Sequence, residues 1–113
     1  MGTMTAVTAT ETPDEPARTI DRLYDYHQRA AFPDRWRDED VAGVDLVLLD
    51  AHLAGCVVRR QAGEGPVGAG HREALRQCLG DLDRVLPRLT DGHERRYAER
   101  LRDLARLLVQ ADG

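Results

Sequence analysis

VAGVDLVLLDAHLAGCVVRR, residues 41–60, is the most apolar run of the chain, and its reading decides the fold. It is too long for an ordinary strand. At about 100° per residue its apolar side chains spread over most of a helical circumference. Val44, Val47, Leu48, Ala51, Ala54 and Val58 form one face, and Leu46, Leu49, Leu53 and Val57 cover much of the rest. A helix that is apolar nearly all round belongs inside a bundle, with neighbours on several sides. The stretch is therefore expected to be the central helix of a small helical bundle. It is too short, and too often interrupted by Asp45, Asp50 and His52, to span a membrane. Gly43 and Gly55 lower its helix propensity and would let a neighbouring helix come close.

The polar residues within the run carry most of its functional information. Asp45, His52 and Cys56 are spaced i, i+7, i+11, which places them within roughly 40° of one another on a helix. Asp50 lies on a different side, near Leu46, Leu53 and Val57. A buried carboxylate must be paired, hydrogen-bonded or protonated. His52 and Cys56, four residues apart, could reach one ion from one helix face. Cys78 follows the connector after this helix and falls at a similar height if the chain turns back antiparallel. Asp45, Asp50, His52, Cys56 and Cys78 are accordingly the ligand or metal candidates, and mixed Cys and His ligation would suit zinc. The paired-cysteine spacing of a zinc motif is missing, and buried cysteines often only pack, so no cofactor is expected.

Outward from this run, four helices emerge. Residues 1–17 are rich in Thr, Pro and acidic residues without periodicity and read as a disordered tail, leaving 18–113 as one helical domain. Thr19 is a plausible N-cap for a first helix carrying Ile20, Leu23, Tyr24 and His27, which Pro33 ends. Residues 62–70, AGEGPVGAG, form a connector. Its Gly63-x-Gly65-x-x-Gly68 spacing follows a helix instead of a strand and is not a dinucleotide fingerprint. A third helix near residues 71–89 carries the stripe Leu75, Cys78, Leu79, Leu82 and Val85, with Pro87 kinking or shortening its last turn. Asp91 and Glu94 have capping-box spacing before a fourth helix that buries Tyr97, Ala98, Leu101, Leu104 and Leu108. The fold class is thus all-α, a small four-helix bundle with a disordered N-terminal tail.

Composition narrows the function classes. The chain has 113 residues and a net charge of −4, and all 16 basic residues are Arg. Arg without Lys points to a GC-rich bacterial genome, and the absence of Ser rules out a serine nucleophile. Acidic charge argues against nucleic-acid binding, although Arg95, Arg96, Arg100 and Arg102 after the turn at Pro87 offer a weak helix-turn-helix alternative. Segments 38–43 partly mimic a calcium loop, but Ala42 and Leu49 occupy ligand positions. No signal peptide or membrane span is apparent, so a cytoplasmic location with reduced thiols is expected. Tyr24, Tyr26, Phe32 and Trp36 crowd together and are the interaction-surface candidates, with plugging of the bundle end as the plainer role. The leading expectation is a non-catalytic protein-interaction or regulatory module with a protein partner. A homodimer through the third and fourth helices is one form of it. A metal- or small-ligand-binding bundle is the alternative.

Overall fold

A computed structural model describes residues 15–64 and 69–112. Its helices are α1 (Glu15–Arg29), α2 (Leu46–Gln61), α3 (Ala69–Val85) and α4 (Gly92–Asp112), with 3-10 turns at Asp34–Arg37 and Leu86–Arg88. The chain is a small all-α four-helix bundle. No helix among the described residues is long and apolar enough to cross a membrane. The tail expected at 1–17 lies outside the described residues up to position 14. Its last three positions belong to α1, so Thr19 is a mid-helix residue and not the cap.

The central helix is α4, not α2. α4 packs extensively on α3 and α1 and also on α2, whereas α2 packs on α1, α4 and the turn at Asp34–Arg37 and borders α3 along a cleft shared with Cys78, Asp81 and Arg84. Tyr97, Ala98, Leu101, Leu104, Ala105 and Leu108 are all buried. The alanines between the leucines let three neighbours approach one helix, while its long Arg side chains occupy the remaining surface. α2 buries only Leu46, Leu49, Leu53, Cys56 and Val57. Val47, Leu48 and Val58, expected inside, are exposed to 42%, 67% and 52%.

Local chemistry sets the ends of α2. Residues 41–44, expected to be helical, instead form a tight turn. The Val41 amide donates to the Val44 carbonyl at 3.1 Å and the Val44 amide returns the bond at 2.9 Å. Ala42 and Gly43 both have positive φ, 52° and 78°, as in the two-residue turns that join antiparallel chain segments. The turn buries Val41 and Val44 together. Asp45 then caps the helix, its Oδ1 accepting from the amides of Val47 at 3.0 Å and Leu48 at 3.2 Å. At the other end the Gly63 amide donates to Arg60 O and the Glu64 amide to Arg59 O, both at 3.0 Å. With Gly63 at φ 82°, these are the paired bonds of a glycine C-terminal cap. The first glycine of the fingerprint-like spacing is thus a helix stop.

The two apolar stripes of α3 and α4 face each other. Leu75, Cys78, Leu82 and Val85 are buried, as is the α4 stripe, and this helix pair has the most extensive contact in the bundle. The stripes on which a homodimer was expected are thus buried within the chain itself. Pro87 acts as its position required. The α-helix ends at Val85 and a short 3-10 turn carries the proline.

Ala42 holds a left-handed conformation that costs an L residue with a Cβ about 1 kcal/mol. Ala42→Gly should therefore stabilise the protein by a fraction of that amount, seen as a higher melting temperature in thermal denaturation.

Candidate functional site

Asp50 leaves α2 at the margin between its buried and exposed faces and joins three helices. His27 of α1 places Nε2 at 3.0 Å from Asp50 Oδ1. The Tyr97 hydroxyl of α4 donates to Oδ2 at 3.1 Å. Arg100, one turn along α4, donates through Nε to His27 Nδ1 at 3.4 Å. With a guanidinium donor on Nδ1, the tautomer that satisfies both bonds carries its hydrogen on Nε2, which donates to Asp50. The His27 and Tyr97 rings pack at 4.3 Å, and the Arg100 guanidinium lies 5.4 Å from the centres of both the Tyr97 and Tyr26 rings. Burial, then the nearby Asp50 charge, pushes the Tyr97 hydroxyl far above its ordinary range, so it remains a donor.

The carboxylate of Asp50 is not sealed. Its side chain is 26% exposed and opens on a cleft of about 490 Å³ lined by Phe32, Arg37, Val47, Asp50 and Ala51. Arg37 lies over the Phe32 ring at 5.4 Å. The cleft thus offers one anionic group, one cationic group and an apolar wall.

A second polar tie holds the bundle end. Arg35 donates through Nε and Nη2 to the two oxygens of Glu94, at 3.0 Å and 2.7 Å. Its bonds to Glu94, more than any other influence, raise the guanidinium still further above its already high ordinary range. Glu94 is buried. The capping box expected at α4 is half made, for Asp91 Oδ2 accepts from the Glu94 amide at 3.0 Å while the Glu94 carboxylate serves Arg35. His93 Nε2 reaches the Ala31 carbonyl at 2.7 Å, closing the end of α1.

The remaining sequence candidates separate. Asp45 is committed to the cap of α2. His52 is exposed, with Nε2 3.9 Å from the Sγ of buried Cys56. Among the described residues no three His, Cys, Asp or Glu side chains are grouped to hold a metal ion. Burial, then the charges of Asp81 and Cys56, pushes the Cys78 thiol up to about 11. Tyr24 and Trp36 are core residues, and Phe32 is half-buried with Trp36 and Tyr97 edge-on at 5.8 Å and 5.5 Å. The aromatic group is therefore a plug, and of the four interaction candidates only Tyr26 is exposed. Of the four arginines of the helix-turn-helix alternative, Arg100 is turned onto His27 and Arg102 is half-buried beside Asp103 at 3.8 Å. Arg95 and Arg96 are the two of these four that are exposed.

His27, Tyr97, Arg35 and Glu94 were not among the sequence candidates. The signal was there: His27 and Glu94 each occupy an apolar stripe, where a polar group needs a partner. What the sequence does not carry is which distant residue supplies it. Comparison with known protein families, curated proteins and solved structures found no match to this chain.

Two outcomes follow from these bonds. Asp50→Ala leaves the His27 and Tyr97 donors without their acceptor and should cost about 2–6 kcal/mol in chemical denaturation, at 1–3 kcal/mol per stranded group. Tyr97→Phe in the same chain should cost less than the sum of the two single changes, because the hydroxyl it deletes has already lost its acceptor. For Cys78, the folded thiol holds its proton more tightly than the unfolded one. Its stabilising contribution is complete below about pH 9 and is lost as pH rises through about 11. Native alkylation of Cys78 by iodoacetamide, read by peptide mass spectrometry, should be negligible at pH 7 and accelerate only toward pH 11.

Proposed function

We propose that this chain is a non-catalytic interaction module that docks a protein partner on the outward face of α2. One observation carries the reading. Val47, Leu48 and Val58 are exposed to 42%, 67% and 52% on a helix face whose other members are Ala51, Ala54 and Gly55. At about 100° per residue these positions span roughly 120°, with Asp50 outside one margin and His52 and Arg59 outside the other. A solvated helix face ordinarily carries charge across its middle, as α3 does with Glu73, Arg76, Asp83 and Arg84. A contiguous apolar patch rimmed by polar groups is the mark of an interaction site. The same reading keeps the protein in the cytoplasm, where its two cysteines stay reduced thiols.

The cleft beside Asp50 favours a second reading, a small ligand with a cationic group toward Asp50 and an anionic group toward Arg37. The metal alternative belongs to the other side of α2, where His52 and Cys56 are the pair a zinc ion would take.

Photo-crosslinking tests the docking face. A benzophenone amino acid at position 48, in chain expressed in its own host, should give a covalent adduct with a polypeptide. The same group at exposed position 73 on α3 should not. Equal yields at the two positions, or no adduct at 48, would remove the docking reading.

A further inference from the structure

We propose that the partner on the outward face of α2 is a second copy of this chain, with the two α2 helices antiparallel across a two-fold axis. The proposal rests on the docking reading above and names its occupant. It is argued from the charge layout around the face. Exposed Asp38, Glu39 and Asp40 precede α2, and Asp45 caps it, so one end is acidic. Arg59 stands in the last turn at the margin of the face, so the other end carries a positive charge there. Each end suits the dipole of its own helix. Antiparallel pairing sets the basic end of each copy on the acidic end of the other, whereas parallel pairing sets like on like. The surface is therefore complementary to itself, as a two-fold interface requires.

The register follows from the side chains. With Ala51 of each copy opposite Gly55 of the other, Leu48 comes over Val58, and Arg59 arrives beside Asp45. A two-fold axis across the helices keeps each margin of the face on the same side in both copies. Arg59 and Asp45 lie on the same margin at opposite ends, which is what the pairing needs. Both capping bonds to Asp45 use Oδ1, so Oδ2 is the oxygen an incoming guanidinium would meet. Within its own chain Arg59 reaches Glu64 at 3.3 Å in an exposed pair, which is weak and easily exchanged.

Gly55 adds a point that the monomer alone does not explain. A Cβ built there meets nothing within 4 Å among the described residues. Glycine in mid-helix lowers helix stability, and no close neighbour among the described residues requires it. At the centre of the proposed pairing it lets two helix backbones approach.

Sedimentation equilibrium on the purified full chain tests the pairing. The expected mass is twice the 12.6 kDa of the chain. Leu48→Glu should raise the dissociation constant roughly thirty-fold or more, as for a central interface anchor. Gly55→Gln, which has room in the monomer, should weaken the dimer with helicity unchanged by circular dichroism. For orientation, Leu48→Cys mixed with Val58→Cys should form a mixed disulfide under mild oxidation, with neither variant linking to itself. A monomeric wild type whose position 48 still photo-crosslinks to a different protein would overturn self-pairing and leave the docking face standing. A monomer without adduct at 48 removes both. A dimer that neither variant loosens uses another face and overturns the proposal. Self-linking of Leu48→Cys would overturn the antiparallel arrangement.

Discussion

Asp50 accepts from His27 of α1 through one oxygen and from Tyr97 of α4 through the other, so a single carboxylate binds three of the four helices to one another. Apolar packing is nearly indifferent to rotation of a helix about its own axis when that helix is apolar on most sides, as α2 is. Hydrogen bonds are not, because they weaken steeply with distance and angle. The bonds to Asp50 therefore fix the rotation of α2. They turn Leu46, Leu49, Leu53 and Val57 onto the core and leave Val47, Leu48 and Val58 facing outward. The exposed apolar face and the polar node are two results of one constraint.

The same logic works at the end of the bundle. Glu94 sits on the buried side of α4, and Arg35 reaches it from the turn that holds Trp36. The two-pronged bond holds that turn at a set distance from α4, and Phe32, Trp36 and Tyr97 fill the space edge-on. Tyr97 belongs to both groups, with its ring in the plug and its hydroxyl on Asp50. The aromatic cluster and the polar node thus share one side chain.

The helix count, the α3 stripe, the stop near Pro33 and the effect of Pro87 were legible because they depend on near neighbours in the chain. So was the plainer role of the aromatic group. The caps at Asp45 and Gly63 were chemically visible, yet the long apolar run hid them, because residues 41–44 were read by composition instead of by the turn their Ala-Gly pair makes. The choice of central helix was not legible. Periodicity counts apolar positions and cannot tell whether they meet a neighbour or solvent. α2 has more of them, but α4 has the small residues and buried positions that admit three partners. Asp50 stood out as a carboxylate in an apolar run, but its partners lie 23 and 47 residues away, beyond any local pattern.

Those separations also shape how the bundle assembles. α3 and α4 are joined by a few residues around Pro87 and share the broadest contact in the molecule. Closing a short loop costs less entropy than closing a long one, and local contacts form fastest. The α3–α4 hairpin is thus the least costly nucleus. On that ordering α1 and α2 would dock on it afterwards, and the carboxylate of Asp50 could close its two long loops only when both had arrived. The node that fixes the rotation of α2 is therefore among the last bonds made, and until it forms both faces of that apolar helix are open to other chains.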